Sequence, residues 1–193
     1  MSPVRRPGFR LNDSTPPEAR MDVLIPADRI AARVDELAGE IARTYAGQPV
    51  TILGVLTGSV VFLADLIRRI DAPVRIGFLK ASSYRGEETY PGRLELDVQL
   101  LPDVAGHHVL VLDDILDTGN TISRVVDFLK GRGATSVRTC MLLRKLGRQI
   151  VPFAPDFVGF EIPDRFVIGY GLDYNDHYRH LPFIGVLPTP AAE

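Results

Sequence analysis

Short apolar runs alternate along this chain with segments whose apolar residues recur at helical spacing. VTILGVL (50–56), VRIGFLKAS (74–82), HVLVLDD (108–114) and SVRTCMLLRK (136–145) each read as a strand. The first and third are almost wholly apolar, the pattern of strands covered on both faces. Between and around them lie helical patterns. In DRIAARVDELAGEIARTYAG (28–47), Ile30, Val34, Leu37 and Ile41 share one face, with Gly47 placed to stop the helix. SVVFLADLIRRI (59–70) reads as a helix with Ser59 as its N-cap. TISRVVDFLKGRG (121–133) puts Ile122, Val125, Val126 and Leu129 on one face and Gly131 at the stop. This alternation predicts an α/β fold with a mainly parallel central sheet flanked by helices.

The rest of the chain is less regular. SYRGEETYPGR (83–93) is polar, with two glycines and a proline, and reads as a long loop. LELDVQLL (94–101) alternates imperfectly and reads as a strand returning from it. From Val151 the chain is rich in proline, glycine and aromatics, with DFVGFEI (156–162) and RFVIGYG (165–171) as short strands in a cap beside the sheet. Residues 1–20 hold four arginines and four prolines but no apolar core, so they read as a flexible tail without the apolar region of a signal peptide. Residues 50–67 resemble a membrane span in hydropathy. Asp65 and two glycines within them favour a buried strand, a turn and a buried helix instead. Residues 21–193 are expected to form one domain.

Composition removes several function classes. A net charge of -2 leaves no basic footprint for nucleic acid. The lone cysteine, Cys140, cannot form an intrachain disulfide and fits a reducing, cytoplasmic setting. It sits in the apolar run TCMLL, where a buried structural thiol is expected rather than a nucleophile. His107, His108, His177 and His180 show no metal-ligand spacing.

The chemistry concentrates in VLVLDDILDTGNT (109–121), where a buried strand runs into acids and a small polar turn. In an open α/β sheet, ligands sit outside the carboxyl ends of the strands. A helix opening near Thr121 offers unpaired amides and the positive end of its dipole. The small residues Thr118, Gly119, Asn120 and Thr121 let those amides and two hydroxyls close around a phosphate. The G-K-[ST] of a Walker A loop is missing. Asp113 and Asp114 beside a phosphate must bind something neutral or cationic, and sugar hydroxyls and Mg²⁺ both qualify. A sugar phosphate suits the whole assembly. The bland alternative is an ordinary strand–turn–helix with solvated acids.

The same stretch closely resembles the phosphoribosyl-diphosphate motif of type I phosphoribosyltransferases. GVLTGSVVFLADL (54–66) resembles the family's pyrophosphate loop, and SSYRGEE (82–88) its mobile loop. Residues 155–187, PDFVGFEIPDRFVIGYGLDYNDHYRHLPFIGVL, look very like the purine-binding end of the 6-oxopurine, hypoxanthine-guanine branch. The resemblance covers roughly residues 24 to 187. It implies a core over about 45–150, a purine-binding hood over about 151–187, and a Mg²⁺-assisted pentosyltransferase of purine salvage. Such an enzyme joins hypoxanthine or guanine to 5-phosphoribosyl 1-diphosphate, gives IMP or GMP, and works as a homodimer or homotetramer.

The resemblance also implies roles. Asp113 and Asp114 would meet the ribose hydroxyls and Mg²⁺, where many relatives have Glu then Asp. Asp117 to Thr121 would hold the 5-phosphate, and Asp117 would handle the proton on purine N7. Leu56, Thr57 and Gly58 would form the pyrophosphate loop, with a cis peptide between the first two; Thr57 stands where some relatives have lysine. Arg179 would contact pyrophosphate, and the Asp173 side chain would hold a second Mg²⁺. Lys145 would donate to the purine 6-oxo group, which selects oxo over amino. Phe166 would stack on the base, and the backbones of Val167 and Asp173 would meet its other edge. Ser83 and Tyr84 would close over the site. Two rival readings remain on sequence: a ligand-sensing regulator without catalysis, and an enzyme of the same fold for another base. The regulator would need a nucleic-acid surface and has no use for Asp117 and Lys145. An adenine enzyme has little use for a lysine donor at position 6.

Overall fold

The computed structural model describes residues 21–83 and 94–187. Its elements are β1 (Asp22–Ile25), α1 (Ala27–Tyr45), β2 (Val50–Leu56), α2 (Val60–Ile67), β3 (Val74–Ser83), β4 (Leu94–Asp97), β5 (His108–Leu116), α3 (Asn120–Gly131), β6 (Ser136–Lys145), β7 (Phe157–Ile162), β8 (Val167–Ile168) and β9 (Ile184–Val186). The main sheet has the order β4-β3-β2-β5-β6-β7. Every pairing in it is parallel except β3 with β4.

The sheet is buried on both faces because its central strands are apolar at successive positions. Ile52, Leu110, Leu112, Cys140 and Leu142 face one cluster with Ile30, Val34, Leu37 and Ile41 of α1 and Phe62, Leu63 and Leu66 of α2. Their chain neighbours Leu53, Val109, Val111 and Met141 face the other, with Ile122, Val125, Val126 and Leu129 of α3. That split follows from the two-residue period of a strand. Residues 50–67 form β2, a turn and the eight-residue α2. No helix among the described residues is long and apolar enough to cross a membrane. Cys140 is buried and free, and burial pushes its thiol far up, as expected of a structural residue.

Several local expectations are corrected. Helix α1 stops at Tyr45, and its left-handed cap is Ala46 (φ 49°), one residue before Gly47. Ser59 precedes α2 but makes no capping bond. Its hydroxyl donates instead to the Val55 carbonyl at 2.7 Å, tying the turn to the strand behind it. Helix α3 opens at Asn120 rather than Thr121, and it runs through Gly131, so that Gly133 (φ 81°) takes the left-handed position after it. The strand expected to end at Asp114 continues to Leu116, because β6 pairs alongside it as far as Leu116↔Arg144. The strand expected over 94–101 ends at Asp97. The loop expected over 83–93 and the tail over 1–20 lie outside the described residues, apart from Ser83 at the end of β3.

Beside the main sheet stands a small one, β1-β9-β8, all antiparallel. It joins residues near the start of the described chain to residues near its end, around Met21, Ile168 and Leu181. β7, within the segment expected as hood, is the edge strand of the main sheet, and α1, outside the expected core, packs in that core.

Leu110 is fully buried at the centre of β5, whereas Leu100 is 63% exposed. Leu110→Ala should cost ~2–5 kcal/mol through lost transfer energy and a residual cavity, and Leu100→Ala within ~0.5 kcal/mol of nothing. Urea unfolding of both variants checks this. Equal midpoints would contradict the burial pattern described.

Candidate active site

Parallel strands β2, β5 and β6 deliver their following loops to one edge of the sheet. β5 brings Asp113 and Asp114, both half-buried, and then Asp117. The carboxyls of Asp113 and Asp114 are raised. For Asp113 the cause is burial first and then the charge of Asp114; for Asp114 it is burial, opposed by hydrogen bonds from the Asp113 side chain and the Ile115 backbone and by the charge of Arg179. Two acids that repel each other in a half-enclosed place are poised for hydroxyl donors or a cation.

The turn after β5 is built by glycine. Gly119 has φ 86°, and a Cβ there would lie 2.5 Å from the Val151 carbonyl. The chain returning from β6 closes on this turn, since the amides of Ile150 and Val151 both donate to the Thr118 carbonyl at 3.0 Å. A cavity of about 80 Å³ lies against it, lined among others by Asp113, Asp117, Thr118, Gly119 and Thr121. Asn120 is exposed and is not among its lining residues.

A second cavity, of about 230 Å³, shares Ile115 and Asp117 with the first. It is lined by Asp114, Ile115, Asp117, Lys145, Phe166, Val167, Leu172 and Asp173. A single water needs only ~10–15 Å³, so there is room for a bicyclic base. Phe166 is 54% exposed and meets Tyr174 edge to face, so its ring is available at the cavity and is not core packing. Lys145, at the end of β6, has a side chain only 11% exposed, paired with Asp164 at 3.3 Å.

The pyrophosphate-loop candidates approach from β2. The Leu56–Thr57 peptide is cis. A Cβ on Gly58 would lie 1.7 Å from an Asp114 oxygen, and a Cβ on Gly171 would lie 2.1 Å from the Gly58 carbonyl. Only glycine lets these three segments touch. Arg179 donates to the Gly171 carbonyl at 2.7 Å and pairs with Asp173 at 2.9 Å, while the other Asp173 oxygen accepts from the Asp176 amide at 2.9 Å. Leu56 and Thr57 line neither cavity, and Thr57 is exposed. Ser83 ends β3, and Tyr84 lies outside the described residues.

Oxygen donors from Asp113, Asp114 and Asp173 suit Mg²⁺. Among the described residues no group of three or more potential ligands converges on one point. A cation here would draw the rest of its shell from substrate oxygens and water, which is how Mg²⁺ is commonly held. The donor set therefore fits.

Two residues that sequence reasoning passed over stand beside the predicted ones. Arg148 donates to Asp117 at 3.0 Å and lies 3.5 Å from Asp164, the partner of Lys145. The one available signal was the cationic cluster RKLGR at a strand end facing several acids.

Comparison with known proteins agrees with this geometry. The phosphoribosyl transferase domain family matches residues 24–175. The chain is 39% identical over 165 residues to a hypoxanthine-guanine phosphoribosyltransferase of Streptococcus pneumoniae, covering 86% of this chain and 92% of that one. It is 41% identical over 167 residues to a hypoxanthine phosphoribosyltransferase of Salmonella typhimurium, covering 86% and 94%. The crystal structure of a Staphylococcus aureus hypoxanthine phosphoribosyltransferase superposes with a TM-score of 0.84 at 35% identity, over 93% of this chain and 97% of that one. With its mainly parallel sheet and its acids at the strand ends, the chain belongs to the phosphoribosyltransferase family, in its hypoxanthine-guanine branch.

Proposed function

We propose that this enzyme transfers the 5-phosphoribosyl group from 5-phosphoribosyl 1-diphosphate to hypoxanthine or guanine, giving IMP or GMP and pyrophosphate. One observation carries the reading. Asp117 lines both a small cavity at the amides of a helix start and a larger one that Lys145 and Phe166 also line. The small cavity takes the 5-phosphate on the turn Thr118 to Thr121, and the large one takes the base. Ribose lies between them, with its hydroxyls on Asp113 and Asp114. The leaving pyrophosphate falls against the backbone of Leu56, Thr57 and Gly58, near Arg179.

Purine N9 bonds to C1 as the bond from C1 to the pyrophosphate oxygen breaks, and the N7 proton passes to Asp117. Positive charge builds at C1 and the ribose ring oxygen in that transition state, and the Asp117 carboxylate favours it. Mg²⁺, held by Asp113, Asp114 and Asp173 together with substrate oxygens, neutralises pyrophosphate charge when bound. Phe166 stacks on the base, and the backbones of Val167 and Asp173 meet its far edge. Ser83 and Tyr84 close over the site and exclude water during turnover. The domain extends over 21–193 behind a 1–20 tail, and it assembles as a homodimer or homotetramer in the cytoplasm.

Asp117→Asn keeps the size of the side chain but removes the charge and the base. It should lower kcat by ~10²-fold or more, with little change in the KM for phosphoribosyl diphosphate. Near-full kcat in steady state would remove Asp117 from the chemistry.

Replacing Thr118 or Thr121 by valine removes a hydroxyl bond to the 5-phosphate, worth ~1.5–3 kcal/mol when charge-assisted. The KM for phosphoribosyl diphosphate should rise while that for the purine holds. Equal rises in both would point to a folding defect.

The sharpest test concerns base selection. The Lys145 ammonium donates and cannot accept, so adenine would set two donors face to face. An unpaired group in so enclosed a place costs ~1–3 kcal/mol, more if charged. The enzyme should use hypoxanthine and guanine and nearly ignore adenine. Lys145→Gln, whose amide both donates and accepts, should lose oxopurine activity and narrow the gap. An unchanged oxopurine-to-adenine ratio in kcat/KM would leave Lys145 an ordinary strand-end lysine.

A further inference from the structure

We propose that Arg148 and Asp164 are positioning residues that set the spacing between Lys145, the base selector, and Asp117, the proton acceptor. The inference rests on the roles assigned above to those two side chains. Oxygen O6 and nitrogen N7 lie on the same edge of a 6-oxopurine. The donor to one and the acceptor from the other must therefore be held at one separation; backbone register, which pairs Leu116 with Arg144, brings the next residues close but does not fix the reach of their side chains. Lys145 ends β6, whereas Asp117 belongs to the turn after β5.

Side chains span the gap. Lys145 Nζ lies 3.3 Å from Asp164 Oδ1, Asp164 Oδ2 lies 3.5 Å from Arg148 Nε, and Arg148 Nε donates to Asp117 Oδ1 at 3.0 Å. The four charges alternate in sign along the chain of contacts. One guanidinium serves both carboxylates, so a shift of either acid is felt by the other. The bond from Arg148 occupies one Asp117 oxygen and leaves Oδ2 for the purine.

Arg148 is itself held by backbone. The segment carrying it is tied at one end by the Leu146 amide to the Ile162 carbonyl at 2.9 Å. At the other end the Ile150 and Val151 amides bond the Thr118 carbonyl of the phosphate turn. Asp164 stands two residues beyond Ile162 and two before Phe166, between the sheet edge and the stacking ring. The strap and the ion chain together join the phosphate turn, the base selector and the purine wall. Arg148 and Asp164 side chains are 46% and 48% exposed, so little of the fold's stability depends on them. Their substitution should leave a folded protein.

The experiment compares Arg148→Gln, Asp164→Asn, the double variant and Lys145→Gln. Steady-state constants are measured for hypoxanthine, guanine, adenine and phosphoribosyl diphosphate, with Tm for each protein. Each of Arg148→Gln and Asp164→Asn should lower kcat/KM for the oxopurines by about tenfold, since small misplacements of reacting groups carry penalties of that order or more. Tm and the KM for phosphoribosyl diphosphate should hold. Asp164→Asn should also narrow the oxopurine-to-adenine ratio. The double variant should lose little beyond the worse single, because both changes break one chain of contacts. Constants within twofold of the starting enzyme, losses that multiply in the double variant, or an equal rise in the KM for phosphoribosyl diphosphate would each overturn the inference. If Lys145→Gln narrows the base ratio while the other variants behave like the starting enzyme, this inference alone fails. If Lys145→Gln leaves that ratio unchanged, the assignment beneath it fails as well.

Discussion

Parallel register among β2, β5 and β6 is the constraint on which the site depends. Val50 pairs with His108 and His108 with Ser136, so the three strands start level and run the same way. Their carboxyl ends and the loops after them place residues 56–58, 113–121 and 145–148 at one edge. No local preference would bring these segments together. The register in turn requires helices on both faces, because strands of this composition must be covered on each side. α1 and α2 cover one face and α3 the other.

The site spends stability on function. Asp113 and Asp114 are crowded by burial and by each other. Asp117, Asp164 and Asp173 add three more acids to the same crevice. Arg148, Lys145 and Arg179 offset them in pairs without neutralising the Asp113–Asp114 end. Hydroxyl donors or a cation would supply the missing partners. Glycines make the crowding possible. At Gly58, Gly119 and Gly171 a side chain would strike a carboxylate or a carbonyl, so the backbone itself forms the walls of the crevice there.

Much of the fold was legible because its signals are local. Short, almost wholly apolar runs marked β2 and β5; the buried face of α3 is the one expected, residue for residue, and that of α1 holds the four expected residues with Ala38 and Tyr45 added. The errors sit at element ends. Ala46 caps α1 because a helix end answers to the packing of the next turn, and β5 outruns its apolar stretch because β6 goes on pairing with it. The small sheet escaped notice because β8 and β9 are two and three residues long, and β1 finds its partner only at the far end of the chain.

Of the site, the sequence by itself determined the chemical inventory: the acids, the small turn, the strand-end lysine and the exposed aromatic, each recognisable because its motif is contiguous. Tertiary structure alone decided how they meet. The ion chain from Lys145 through Asp164 and Arg148 to Asp117 crosses three loops, and the contact of Gly58 with Asp114 and Gly171 joins two further loops to β5. Such contacts depend on distances through space between residues remote in the chain. Only a folded sheet with a fixed register sets those distances.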